Sequence, residues 1–153
     1  MAAILNLKKK AFFPHCGGVL VASKYVISAS HCFYPRNPRR QIYFEKDMKV
    51  RLGEHNTHGS LDPPETDFEV AKIILHPQWD GRFEYSNDVA VIKLASEANM
   101  NLFTPACIAT TAEERSFYDK TAQVNIFHFK DLMIYSENRC MAGAIHHMVE
   151  NNL

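Results

Sequence analysis

From residue 2 to residue 94, short runs of aliphatic, β-branched and aromatic residues alternate with clusters of turn formers. The runs at 19–22, 25–28, 49–52, 68–75 and 89–94 have strand composition. Between them stand Pro35-Arg36-Asn37-Pro38, the stretch 56–64, residues 77–81 and the pair Ser86-Asn87. The apolar run at 1–7 predicts one more strand. No long helical period interrupts the series, so the pattern predicts an all-β unit, an antiparallel barrel or sandwich. After Cys107 the texture changes. Residues 110–118 are polar, 123–129 alternate weakly, and 132–135 form a brief apolar run. The segment 139–149 predicts one short helix, with Gly143 as its weak point.

Charge and cysteine content narrow the function classes. Seventeen basic and seventeen acidic residues cancel, which removes any electrostatic argument for nucleic acid or an anionic membrane as partner. No apolar stretch approaches the ~20 residues of a membrane span. Residues 1–7 are too few for a secretion signal, and Lys8-Lys9-Lys10 follow the run where a signal would carry its basic residues in front, so no signal peptide is expected. A chain of 153 residues holds one ordinary domain, or one small barrel and a remnant. Cys16, Cys32, Cys107 and Cys140 allow three pairings, and spacing alone does not choose among them. Without a C-x-x-C pair, a zinc ribbon or a thioredoxin-like redox site is not expected. Among eight histidines the close pairs are His55/His58 and His146/His147; neither stands in a known ligand spacing, and surface histidines are expected.

Two stretches carry chemistry. The first is Cys16-Gly17-Gly18-Val19-Leu20, followed by Tyr25-Val26-Ile27-Ser28-Ala29-Ser30-His31-Cys32. The second is Asn87-Asp88-Val89-Ala90-Val91-Ile92-Lys93-Leu94, in which an aspartate opens an apolar run and is costly to bury without a partner. Together they resemble the trypsin-like, chymotrypsin-fold serine proteases, where C-G-G-x-L leads through two strands to A-A-H-C and a later N-D-I-A-L-L-K-L strand follows. Ser30 departs from the usual alanine before the histidine. The resemblance implies that His31 is the general base and acid, that Asp88 orients it, and that a Cys16–Cys32 disulfide ties the histidine's turn to its neighbour strand. Val50-Arg51-Leu52-Gly53-Glu54-His55-Asn56, Ile73-Ile74-Leu75-His76-Pro77 and Ala106-Cys107-Ile108 also resemble family text. Residues 68–77 and 87–94 are reminiscent of arthropod clip-type and proclotting proteases.

The resemblance implies a double β-barrel: a nearly whole first barrel over 1–108 and a truncated second barrel over 109–153 with one short helix. Thr121-Ala122-Gln123-Val124 resembles the lead-in to the family's G-W-G strand, yet Asn125-Ile126-Phe127-His128 follows. No serine of this sequence stands in a G-D-S-G-G setting; Gly59-Ser60 comes nearest and lacks the aspartate and the following glycines. The nucleophile is therefore expected to be absent from this chain, which alone should not cut peptides. Partners outside this chain are implied for Cys107 and Cys140. Glu54, Asp62 and Glu65 fall near the places where several trypsins wrap calcium, and hard oxygen ligands suit that ion. Pro63-Pro64 alters that loop, and a solvated acidic loop is the plainer alternative. No other cofactor is required.

By resemblance, then, the function is serine-type endopeptidase hydrolysis of a protein or peptide substrate, in an extracellular setting. The alternatives are a secreted pseudoprotease that binds a protease or inhibitor, and a splice or gene-model fragment with no role of its own.

Overall fold

The computed structural model describes residues 2–8, 14–35, 40–53, 66–81 and 87–108. Six strands form in chain order: β1 (Ala2–Asn6), β2 (Pro14–Ala22), β3 (Tyr25–Ser28), β4 (Met48–Leu52), β5 (Thr66–Leu75) and β6 (Ala90–Leu94). Single 3₁₀ turns lie at Ser30–Cys32 and Glu45–Asp47. The strands close on themselves in the order β1-β2-β3-β6-β5-β4, every neighbour antiparallel. Of the barrel and sandwich that the pattern left open, the chain forms the barrel. The expected helix at 139–149, and the whole of 109–153, lie outside the described residues. Among the described residues no helix is long and apolar enough to cross a membrane.

Alternation along the strands builds the interior. In β4 and β6 every second residue is buried: Met48, Val50 and Leu52 from one, Ala90, Ile92 and Leu94 from the other. Ile4, Val26 and Phe33 join them with no exposed surface. Fully burying such a side chain is worth about 1.5–3 kcal/mol, and so few strands must fill their own lumen with side chains. Val19, Val21, Tyr25, Ile27, Ile74 and Val91 make a second apolar cluster apart from this core.

Strand β2 begins earlier than its composition predicts, at Pro14 rather than at residue 19. Glycine lowers strand propensity, but in the barrel Gly17 and Gly18 are strand residues facing β1, with Ala3 opposite Gly17 and Ala2 opposite Gly18. A Cβ at Gly18 would lie 2.7 Å from Val26 Cγ1 and 3.0 Å from the Ile27 carbonyl oxygen, so only glycine lets β2 and β3 approach this closely. Register shifts at Ile4/Leu5, Leu20/Ala22 and Val70/Lys72 mark irregularities of the kind that bend strands and help a small sheet close. On the outer face of β4 and β5, Arg51 pairs with Asp67 and Lys49 with Glu69, each directly across the ladder.

Candidate active site

The register between β3 and β6 assembles the site. Ser28 faces Ala90 across the ladder, so the chain leaving β3 passes beside the chain approaching β6. His31 lies on the 3₁₀ turn just after β3, and Asp88 lies two residues before β6. Residues 57 apart in sequence are thereby brought into contact.

Asp88 occupies the centre of a three-residue turn closed by the Val89 N–H donating to the Asn87 carbonyl at 2.9 Å. Asn87 carries a φ of 60°, a left-handed conformation that asparagine tolerates better than most residues. This turn aims the carboxylate at the histidine. The His31 backbone N–H donates to Asp88 Oδ1 at 2.8 Å, and His31 Nδ1 lies 2.6 Å from Oδ2. An ionised carboxylate can only accept, so Nδ1 carries the proton and Nε2 keeps its lone pair. The Asp88 side chain is only 9% exposed, whereas that of His31 is 45% exposed. Burial pushes the Asp88 carboxyl up. Hydrogen bonds from the His31 ring and backbone, the positive charge the imidazole gains when it is protonated, and the Ser30 amide outweigh burial and hold the carboxyl below its ordinary value.

A disulfide joins Cys16 in β2 to Cys32 in the histidine's own turn. Cys32 is 2% exposed, so the bridge fixes the turn from its buried side. The Cys32 carbonyl lies 2.9 Å from His15 Nε2, and the His15 ring meets Tyr43 edge-on with centroids 4.9 Å apart. Sequence reading gave His15 no role; its place immediately before Cys16 was the one signal available. Ser30, noted only as a departure from alanine, is wholly buried and donates its hydroxyl to the Val89 carbonyl at 2.6 Å. Ser28 is 2% exposed and donates to the Gly17 carbonyl at 2.9 Å. Both hydroxyls beside His31 in sequence are thus engaged with main-chain carbonyls and not offered to the imidazole.

Cys16, His31 and Cys32 form the one close group of metal-ligating residue types among the described residues. With the two sulfurs joined to each other, that group offers a metal no thiolate and only the imidazole. Glu54, Asp62 and Glu65, expected near a calcium site, lie outside the described residues, as does Cys140. Cys107 is partly buried, beside the Ala106 N–H that donates to the Leu20 carbonyl at 2.8 Å.

This geometry is a base with its ring oriented from one side and open to solvent on the other, a pairing suited to taking a proton from an oxygen nucleophile. Similarity to known proteins extends well beyond the two motifs. Trypsin from Sus scrofa is 39% identical over 101 residues, which cover 66% of this chain and 36% of that protein. Serine protease 1 of Homo sapiens is 42% identical over 86 residues, 56% of this chain and 30% of the relative. Trypsin V-A of Rattus norvegicus is 38% identical over the same share of each. The chain thus spans about a third of the length of these relatives. The family model described as Trypsin matches residues 1–126, most of the sequence and all of the barrel, and the chain belongs to that family.

Proposed function

We propose that this chain carries the general-base half of a serine endopeptidase site acting on protein or peptide substrates outside the cell. His31 Nε2 would take the proton of an attacking serine and later return it to the leaving amine, while Asp88 stabilises the imidazolium that forms between the two events. The observation that carries the reading is the two-point hold of Asp88 on His31, through Nδ1 at 2.6 Å and the backbone N–H at 2.8 Å, with the ring still half open to solvent. No cofactor enters this chemistry. Calcium is proposed only as an ion for the carboxylates of Glu54, Asp62 and Glu65, apart from this chemistry. The clip-type likeness of 68–77 and 87–94 is part of the proposal rather than a property of the relatives matched, which are trypsins and similar mammalian proteases.

The nucleophile is proposed to come from outside these 153 residues, because no serine here has the G-D-S-G-G setting and the matched segment covers only 30–36% of the relatives' length. The same observation favours one second reading, a secreted binding module that engages a protease or inhibitor. A serine-directed phosphonate separates them. The chain alone should take no label and hydrolyse no peptide. Residues 1–108 joined to the second half of the Sus scrofa relative should label, and His31→Ala should slow labelling by about a million-fold, the effect of removing a triad base. Labelling of that chimera undiminished by His31→Ala would overturn the endopeptidase reading.

A further inference from the structure

We infer that Ser30 is a positioning residue whose hydroxyl pins the Asp88-bearing segment to the His31 turn and so fixes the carboxylate that holds the imidazole. The inference deepens, and rests on, the reading of His31 as base and Asp88 as its orienter. Ser30 has no exposed surface. Its Oγ–H donates to the Val89 carbonyl at 2.6 Å, and its oxygen receives the His76 N–H at 3.4 Å. The His76 N–H also donates to the Val89 carbonyl at 2.9 Å, which closes a three-cornered set between the histidine turn, the end of β5 and the start of β6. The residue that follows, His31, donates its own backbone N–H to Asp88 Oδ1 at 2.8 Å. The histidine turn therefore grips residue 89 through the Ser30 side chain and residue 88 through the His31 main chain.

The hydroxyl is not there to satisfy an otherwise stranded group. Were it removed, the Val89 carbonyl and the His76 N–H would still be bonded to each other. What it adds is a restraint on where Val89 sits. Val89 is the closing residue of the three-residue turn centred on Asp88, so a shift of Val89 is passed directly to the carboxylate. An alanine at this position would fill the same space and leave the His31–Asp88 bond less firmly held.

Ser28 supplies a matched control. It is also buried, at 2% exposed, and donates to the Gly17 carbonyl on β2 at 2.9 Å, with its Oγ 3.9 Å from Cys32 Sγ, and neither contact reaches the Asp88 segment. The experiment follows solvent exchange of the His31 Nδ1 proton by NMR in the full 153-residue chain, comparing Ser30→Ala, Ser30→Thr and Ser28→Ala at one pH. Loss of one hydrogen bond's worth of restraint should make exchange about fivefold faster in Ser30→Ala and change it by less than about twofold in Ser28→Ala. Ser30→Thr, which keeps the hydroxyl, should stay near the unsubstituted rate. Equal acceleration in both alanine variants, or none in Ser30→Ala, would overturn the inference. So would a Ser30 hydroxyl proton that exchanges at the solvent rate in the unsubstituted chain, a readout that needs no variant to fold. Absence of any protected Nδ1 proton in the unsubstituted chain would overturn the base-and-orienter reading and this inference with it. A protected proton indifferent to Ser30→Ala overturns this inference alone.

Discussion

Removing the Cys16–Cys32 bridge should lower stability by about 3 kcal/mol, a figure that follows from the loop it closes. The bridged residues are 16 apart in sequence. In the chain-entropy relation the cross-link removes about 2.1 cal/mol/K plus 1.5R times the logarithm of the loop length, which at 25 °C and this spacing comes to roughly 3 kcal/mol. The double variant Cys16→Ala/Cys32→Ala also removes the buried Cys32 sulfur from its contacts with Ser28 and His31, but strands no polar group, since Ser28 keeps its bond to the Gly17 carbonyl. Trp79, the only tryptophan of the sequence, reports on unfolding from a suitable place. It is 8% exposed, and its indole N–H donates to the Tyr34 carbonyl at 3.0 Å, two residues beyond the bridged turn. Urea titration followed by its fluorescence should show the midpoint falling by about 1–3 M with an m-value of ordinary size for a small domain. A loss below about 1 kcal/mol would refute the loop-entropy reasoning and mean that the unfolded chain already restrains residues 16–32 without the bridge.

Gly18→Ala should destabilise the barrel by about 1–3 kcal/mol, since the new methyl meets the Ile27 backbone at 3.0 Å as well as the Val26 side chain; a neutral result in the same urea titration would show that β2 and β3 can separate without loss. The Asp88 carboxyl lies below its ordinary value of 3.8 in the folded chain, so its contribution is fully present above that pH and is lost as pH falls through the lower, folded value. Stability measured from neutral pH downward should therefore fall more steeply below pH 3.8 in the unsubstituted chain than in Asp88→Asn, and parallel curves would contradict this.

Much of the barrel was legible because its strands are coded locally. The β-branched runs at 25–28, 49–52 and 89–94 coincide with β3, β4 and β6 to within a residue, and their alternation is the burial pattern itself. The start of β2 was not legible, because Gly17 and Gly18 lower strand propensity and owe their place to a close approach between neighbouring strands. Closure came from the family resemblance and not from the local pattern, because β1 pairs with both β2 and β4, a choice that depends on register shifts and on contacts far apart in sequence.

The site divides in the same way. His31, Asp88, Cys16 and Cys32 were found through resemblance of their surrounding motifs, not through any local rule that an aspartate should meet a histidine 57 residues away. The Ser30 hydroxyl was missed because its acceptor is 59 residues distant and because serine for alanine is unremarkable in a sequence. His15 was missed for a like reason, its partners being Cys32 and Tyr43.

The most direct test of the central claim, that Asp88 holds His31 as an oriented base, is the tautomer of His31 read from its imidazole ¹⁵N shifts and one-bond N–H couplings at a pH where the ring is neutral. The geometry requires the proton on Nδ1, against Oδ2 of Asp88 at 2.6 Å, with Nε2 unprotonated. In Asp88→Asn, where the side-chain amide can donate as well as accept, that preference should weaken or reverse. A neutral His31 carrying its proton on Nε2 in the unsubstituted chain would contradict the claim, because the nitrogen needed to accept a proton would already hold one.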